Sequence, residues 1–224
     1  MMLLFLVYFY APVLFHPSQY IFGDKGDSIK NYFSYEWHIQ HDHSFVDYTG
    51  TNYPFGEQHS YTDGNPLLSN LLKALPFFKG QSIAIFNLSL LFSIVVTALL
   101  LFGILKEFKV VNGFAILAAI GIAILNPQTN RLTGHFTLAY SFFIPLVIYL
   151  LILFETRDRK RRYNLYICFV LVCSFFVHPY MGMILATMLF LYHVTKCLVF
   201  YRDIKQQFFP FFIQSVFPVL FYFI

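Results

Sequence analysis

The sequence predicts an all-α, polytopic transmembrane protein with about seven spans and a long, partly helical outer loop after the first. Of its 224 residues, 58% are hydrophobic and only 12% are charged, whereas soluble domains carry roughly 25% charged residues. The mean hydropathy is +0.63. A span needs about 20 mostly apolar residues, and seven runs are candidates: residues 2–15, 81–105, 110–126, 136–154, 163–178, 180–200 and 208–224.

The Lys and Arg residues of the short connections predict the orientation of these spans. One side of the predicted topology holds ten basic and four acidic residues, and the other side holds five basic and seven acidic residues. Because basic connections stay in the cytoplasm, we expect a cytoplasmic N-terminus. Residues 16–80, which we call the polar segment, then lie outside. The basic run TRDRKRRY at residues 156–163 is interpreted as a topological anchor, with anionic-lipid or nucleotide binding as the alternative.

The rest of the composition excludes several other classes of protein. The cysteines Cys168, Cys173 and Cys197 all lie in apolar runs, so no disulfide framework is indicated. No pattern typical of nucleic-acid binding is present. The chain ends in the apolar run FPVLFYFI. We therefore expect one transmembrane domain, residues 1–224, that forms the N-terminal part of a longer protein.

The first part of the polar segment predicts a turn followed by an amphipathic helix. Ile29, Tyr32, Phe33 and Trp37 share one helical face by their spacing. Two aspartates, Asp24 and Asp27, precede this face. Asp27 suits a helix N-cap, and it equally suits a carboxylate that serves as a base or a metal ligand near the membrane.

A group of four side chains at the end of this helix allows a metal hypothesis. His38, His41, Asp42 and His43 lie within six residues, and imidazole is the commonest metal-ligating side chain. A divalent cation is therefore a possible cofactor. The alternative is that these polar side chains face water at a helix end.

The second part of the polar segment predicts turns and then a short helix lying flat at the membrane surface. The sequences NYPFG and DGNP are turn signals, and the helix begins at Pro66. Its apolar side consists of Leu67, Leu68, Leu71, Leu72 and Leu75. His59 and Asp63 are then expected just above the bilayer. Asp63 also suits a turn or a cap.

Three further polar residues are expected at the outer ends of later spans. Arg131 and His135 are one helical turn apart in the connection NPQTNRLTGHF. A guanidinium there suits a lipid phosphate, and snorkelling to headgroups is the alternative. His178 precedes Pro179, which ends or kinks a helix. An ionisable group at that depth is a functional candidate, although a neighbouring backbone group can equally satisfy it.

Four stretches of sequence together resemble a group of large bacterial membrane proteins that are similar to the GT-C superfamily of glycosyltransferases. These stretches are GDSIKNYF, NYPFGEQHSYTDGNPLL, RLTGHFTLAYSFFIPLVIYL and HPY. The resemblance implies a multi-pass protein of the bacterial plasma (inner) membrane. It also implies a polyprenyl-phosphate-linked sugar donor and an acidic catalytic residue in the first outer loop.

The position that matches this acidic residue is Asp27, with Asp24 as its neighbour. The resemblance implies that Asp27 acts as a general base on an acceptor hydroxyl, or orients it, and that Arg131 can neutralise the leaving phosphate. Asp63, His59 and His135 would position the acceptor or a metal. GT-C enzymes commonly have more than seven spans and a soluble C-terminal domain, and this chain departs from them in both respects.

Two other functional classes are compatible with the sequence. A transporter or lipid flippase would place ionisable residues near the bilayer midplane, yet residues 81–105, 110–126 and 136–154 have no charged side chain at mid-depth. A non-catalytic membrane scaffold would tolerate Asp27→Asn, whereas an enzyme that uses this carboxylate as a base would not. Among these classes the enzyme is favoured, because of the resemblance and the polar residues expected at the outer membrane face.

Overall fold

The computed structural model describes residues 1–23, 25–199 and 204–223, except for the side chains of residues 204–207. The structure is 77% helical with almost no sheet, which confirms the all-α prediction. The chain divides into two compact units, Met1–Phe142 and Phe143–Ile224.

The first unit contains five α-helices and a small β-hairpin. Its elements are α1 (Met2–Phe15), α2 (Asp27–Gln40), β1 (Asp47–Tyr48), β2 (Glu57–Gln58), α3 (Pro66–Ala74), α4 (Ser82–Glu107) and α5 (Asn112–Ile124). The two strands pair antiparallel, with Tyr48 opposite Glu57. Four 3₁₀ turns connect the elements: His59–Tyr61, Pro76–Gln81, Pro127–Thr133 and Phe136–Ala139.

The second unit is helical throughout its described residues. Its elements are α6 (Phe143–Thr156), α7 (Lys160–Val177), α8 (Pro179–Val199), α9 (Ile204–Phe211), a π-helical segment (Phe212–Val216) and α10 (Phe217–Phe223). Helices α7 and α8 pack closely where Gly182 faces Phe175. A Cβ on Gly182 would come within 2.3 Å of the Phe175 ring. An ion pair joins α6 to α8, since Glu155 accepts hydrogen bonds from Lys196 and Tyr192.

Four helical stretches in the described part of the chain are long and apolar enough to cross a membrane: Pro76–Glu107, Asn112–Thr133, Phe136–Thr156 and Pro179–Val199. A membrane protein is therefore supported, whereas the count of about seven spans is not confirmed. The other three predicted spans fall short for separate reasons. Met2–Phe15 and Phe208–Phe223 are short. The helix α7 is 18 residues long, but its first three residues are the charged Lys160, Arg161 and Arg162. Its uninterrupted uncharged part is therefore shorter than 18 residues.

The polar segment is held on α4 by one buried amide side chain. Asn87 Nδ2 donates to the backbone oxygens of Pro17 and Tyr20, each at 2.7 Å. Its Oδ1 accepts a hydrogen bond from the Tyr32 hydroxyl. Asn87 thus fixes both the chain that leaves α1 and the middle of α2 to the first turns of α4.

An aromatic cluster completes the contact between α2 and α4. The rings of Tyr35 and Phe86 stack with their centroids 4.6 Å apart, and Phe136 packs edge-on against Phe86 at 5.8 Å. Burial raises the pKa of the Tyr35 hydroxyl, which donates to the backbone oxygen of Ser82 at 3.3 Å. These contacts form a buried core that α2 shares with α4 and the turn Phe136–Ala139.

The amphipathic helix predicted near residue 29 is present as α2, but the protein buries a different face. Ile29 and Phe33 are exposed by 51% and 44%. The buried side carries mostly polar or hydroxyl-bearing residues, namely Ser28, Asn31, Tyr32, Ser34, Tyr35, His38 and Ile39. The prediction from apolar spacing was wrong on this point, because hydrogen bonds to distant backbone compensate the burial of the polar groups.

Candidate functional site

The candidate site lies where the first turn of α2 meets the residues that follow the 3₁₀ turn Pro127–Thr133. Ser28 Oγ donates to the backbone oxygen of Thr133 at 2.9 Å. Asn31 Nδ2 donates to the backbone oxygen of Gly134. Ser28 and Asn31 are both buried. This pair of hydrogen bonds, which we call the α2 clamp, fixes the position of residues 133–135 beside Asp27.

Gly134 lies close to Asp27, with room for a side chain no larger than alanine. A Cβ at this position would lie 3.8 Å from the Asp27 Cβ, at ordinary van der Waals distance. A larger side chain would therefore press on the Asp27 side chain.

The α2 clamp brings Asp27 and His135 together. Asp27 Oδ2 lies 3.8 Å from His135 Nε2, and the two side chains are 57% and 44% exposed. The distance suits electrostatic pairing, and a small side-chain rotation would form a hydrogen bond. An accessible carboxylate next to an imidazole can accept a proton from a bound molecule.

The interpretation of Asp27 as an N-cap is wrong by one residue. Gly26 occupies the N-cap position with φ 53°, and no side chain caps the helix. Asp27 is the first helical residue, where the helix dipole favours a negative charge. Its carboxylate is therefore not occupied in capping α2. Asp24, the other aspartate of this region, lies outside the described residues.

Arg131 is exposed. It lies in the turn Pro127–Thr133, whose last residue is held by the α2 clamp. Its backbone oxygen accepts from the amides of Gly134 at 3.1 Å and His135 at 2.9 Å. This double acceptance makes the chain turn tightly between Arg131 and His135. Arg131 and His135 therefore lie in one tight turn, in which His135 is the residue that approaches Asp27.

Asp63 is linked to α2 through Lys30. Lys30 Nζ lies 3.9 Å from Asp63 Oδ2, and Lys30 is one helical turn beyond Asp27. Asp63 has φ 60°, a left-handed backbone that Asp tolerates in turns. The turn interpretation of Asp63 thus holds, and its carboxylate also faces the side of α2 that carries Lys30.

His59 has a different environment from the one expected of a substrate-binding residue. It is fully buried, with Nε2 2.7 Å from Ser69 Oγ and Nδ1 3.0 Å from Thr62 Oγ1. Burial, and then the charges of His38 and Lys73, lower the pKa of His59 to about 3. Both ring nitrogens are occupied, so His59 is a neutral core residue and does not face a ligand.

His38 stacks on His59 and forms a buried chain of polar groups. The ring centroids are 3.7 Å apart. His38 Nδ1 lies 2.8 Å from Asp42 Oδ2, and Nε2 lies 2.9 Å from Asn70 Oδ1. The Asn70 Nδ2 donates to the Phe45 backbone oxygen at 2.9 Å, which fixes its orientation. His38 thus joins α2 to Asp42 and Asn70 through both of its ring nitrogens.

The metal hypothesis for residues 38–43 is not supported by this arrangement. His38 and Asp42 bond to each other, whereas His41 and His43 are exposed. His41 instead packs on the Trp37 ring at 4.4 Å. In the described ranges, no group of three or more His, Cys, Asp or Glu side chains could hold a metal ion. These residues therefore do not fit a divalent cation.

His178 belongs to the second unit, at the end of α7. Its Nδ1 accepts a hydrogen bond from the Tyr180 backbone amide at 3.1 Å, and the residue is only 8% exposed. The extended backbone of His178, with φ −162° and ψ 130°, separates α7 from α8. A neighbouring backbone group thus satisfies this ring, as the sequence allowed.

The sequence analysis missed the residues that assemble the site. Ser28, Asn31 and Lys30 hold Asp27, His135 and Asp63 in place; all three belong to the stretch GDSIKNYF, but none was assigned a role. One signal was available, because Ser28, Asn31 and His38 fall on one face of α2 at helical spacing. A polar face of this kind indicates hydrogen-bonded burial.

Comparisons with other proteins identify one relationship. Neither the curated proteins nor the solved structures searched contain a match to this chain. A family model described as a domain of unknown function, DUF6311, matches residues 1–224. Because this model spans the whole sequence, the chain belongs to the DUF6311 family.

Proposed function

We propose that this protein is a membrane glycosyltransferase that moves a sugar from a polyprenyl-phosphate-linked donor to an acceptor. The pairing of Asp27 with His135 carries the proposal, because two remote segments are joined by buried hydrogen bonds around an exposed carboxylate. A carboxylate within reach of a hydroxyl is a suitable general base. The resemblance to GT-C enzymes supplies the donor class.

In the proposed reaction Asp27 takes the proton of the acceptor hydroxyl. The hydroxyl oxygen forms a bond to the anomeric carbon as the bond from that carbon to the phosphate oxygen breaks. The lipid phosphate leaves with the bonding electrons, and the configuration at the anomeric carbon inverts. No oxidant or reductant is required.

The neighbouring residues have separate roles in this scheme. His135 holds the Asp27 carboxylate from the Oδ2 side, which leaves Oδ1 for the acceptor. Arg131 stabilises the charge that develops on the leaving phosphate, since a guanidinium can grip phosphate through two parallel hydrogen bonds. The Lys30–Asp63 pair lies one turn further along α2 and positions the acceptor.

The full-length protein, reconstituted in vesicles with polyprenyl-phosphate-linked hexoses, provides the test. Release of polyprenyl phosphate is measured, because this product appears whichever acceptor is used. Asp27→Asn is expected to lower the rate by about 10² or more, as loss of a general base does. Asp47→Asn is the matched control, since Asp47 is also an exposed aspartate of the polar segment, and it should keep the wild-type rate.

Two results would contradict this proposal. One is a folded wild-type protein that releases no polyprenyl phosphate from any hexose donor. The other is an Asp27→Asn variant that matches the Asp47→Asn control, which would remove Asp27 from the chemistry.

The proposal also places the polar segment outside the bacterial plasma membrane, with the N-terminus in the cytoplasm. An impermeant maleimide applied to intact cells should label Tyr53→Cys in the polar segment and should not label Arg159→Cys in the basic run. Cys168, Cys173 and Cys197 are replaced by Ser in both variants. Labelling of Arg159→Cys alone would reverse the orientation.

A transporter is the second candidate because α8 contains buried ionisable groups. His193 and Lys196 are both buried, with His193 Nε2 3.0 Å from Gln214 Oε1 and Lys196 paired with Glu155. Buried ionisable residues in membrane helices frequently mark ion pathways. If transport is the function, Lys196→Gln should abolish substrate flux while Asp27→Asn leaves it unchanged.

A further inference from the structure

The helix α3 and the turn that follows it expose an apolar surface that the protein itself does not cover. Pro66, Ser69 and Leu72 are buried, so the helix packs by one side only. The other side, together with the turn Pro76–Gln81, presents large apolar side chains to the outside: Leu67, Leu71, Leu75, Phe77 and Phe78. Phe77 is 96% exposed.

Hydrogen bonds fix the depth of α3 relative to the membrane helix α4. Asn65, the N-cap of α3, donates from Nδ2 to the Tyr140 hydroxyl at 3.0 Å. The Tyr140 hydroxyl lies 2.6 Å from Ser89 Oγ. Through Tyr140, the start of α3 is therefore held near Ser89. This residue lies two helical turns after Ser82, the first residue of α4.

The length of α4 places this tie at the edge of the hydrocarbon layer. A helix rises 1.5 Å per residue, so α4 rises about 27 Å from Ser89 to Glu107, close to the roughly 30 Å thickness of the hydrocarbon core. When Lys106 and Glu107 are placed at one boundary of the hydrocarbon core, Ser89 lies at the opposite boundary. The first turn of α3 is at that same level.

Both ends of α3 are connected to α4, at levels that differ by up to about 10 Å along the α4 axis. Its N-terminus is tied to Ser89 through Tyr140, and its C-terminus leads through Pro76–Gln81 into the start of α4. Near the level of Ser89, α4 exposes Leu88 and Phe92. The membrane span α4 thus also exposes apolar side chains at the level where α3 begins.

We propose that α3 and the turn Pro76–Gln81 form an in-plane anchor, whose exposed leucines and phenylalanines insert into the bilayer leaflet nearest α2. An amphipathic helix of this kind places its apolar side about 5–10 Å into the boundary between headgroups and acyl chains. The anchor fixes the height of the polar segment above the membrane. It does not depend on the proposed glycosyltransferase activity.

The single tryptophan of the chain makes this anchor directly testable. Trp37→Phe removes the native indole, and Phe77→Trp then introduces one reporter in the proposed anchor. Leu71→Trp is a second reporter on α3. Tyr53→Trp is the matched control, because Tyr53 is 93% exposed near the polar residues Asn52 and Glu57. Leu99→Trp, on an exposed position of α4, verifies insertion.

Each variant of the full chain is reconstituted in phosphatidylcholine vesicles with bromine atoms on the upper part of the acyl chains. Bromine quenches indole emission by contact. We expect the Phe77→Trp and Leu71→Trp reporters to lose emission relative to unbrominated vesicles, because such an anchor places its apolar side chains at the boundary between headgroups and acyl chains. The Tyr53→Trp control should be almost unchanged.

The proposal is overturned if the Phe77→Trp and Leu71→Trp reporters are quenched no more than the Tyr53→Trp control while the Leu99→Trp reporter is quenched. In that case water or a partner protein covers this surface. Quenching of only one α3 reporter would also contradict insertion of the whole helix.

Discussion

Acidification should loosen the packing between α2 and α3, because His59 is buried there as a neutral imidazole. Its ring stacks on His38 and lies 6.0 Å from the Tyr48 ring, and Lys73 adds a further positive charge. Protonation of His59 would bury a charged imidazolium inside this cluster, which burial disfavours. The unfolded segment has no such restriction, so it takes up the proton first.

The size of the effect follows from the two pKa values. His59 has a pKa of 6.5 when unrestrained and about 3 in the folded protein. Below pH 6.5 the unfolded state binds a proton that the folded state does not, so stability falls by about 1.4 kcal/mol for each pH unit. At about pH 5 the packed state is weaker by about 2 kcal/mol than at neutral pH, which raises the open fraction about thirtyfold.

Hydrogen–deuterium exchange of the protein in nanodiscs measures this opening. Amides of α2 and α3 should exchange faster at pH 5 than at pH 7.5 after correction for the intrinsic rates, while amides of α4 should not. His59→Gln removes the titrating group and should abolish most of the difference, whereas His43→Gln, at an exposed position, should preserve it. An equal acid response in the wild type and His59→Gln would refute the reasoning.

Four single substitutions and one double variant test the packing in detergent-solubilised protein by thermal denaturation. Asn87→Ala removes a side chain with three buried hydrogen bonds and should cost about 2–4 kcal/mol. Gly182→Ala should cost about 1–3 kcal/mol because a Cβ meets a phenyl ring. Gly121→Ala, with open space around it, should be neutral or slightly stabilising. Lys196→Met should destabilise by about 1–3 kcal/mol, and adding Glu155→Gln should recover most of that loss.

The positions of the helices could largely be predicted from the sequence. The run at residues 81–105 became α4 (Ser82–Glu107), and the run at 180–200 became α8 (Pro179–Val199), because continuous apolar stretches form helices whatever their tertiary contacts. Proline and asparagine also located the start of α3. The basic residues at the start of α7 show the limit of this approach, since they shorten its apolar part.

The assembly of the candidate site could not be predicted from the sequence. The approach of His135 to Asp27 depends on hydrogen bonds to backbone oxygens of Thr133 and Gly134, and no residue pattern specifies which backbone a side chain will reach. The burial of His59 was missed for the same reason. Its partners Thr62 and Ser69 are ordinary hydroxyl residues with no distinguishing spacing.

The most direct test of the account is a double-mutant comparison of donor cleavage. The release of polyprenyl phosphate is measured for the wild type, Asp27→Asn, His135→Gln and the double variant, at equal amounts of folded protein. If the two residues act as one unit, the double variant should be no slower than Asp27→Asn alone. Losses that multiply would show independent roles, and unchanged cleavage in Asp27→Asn would contradict the account.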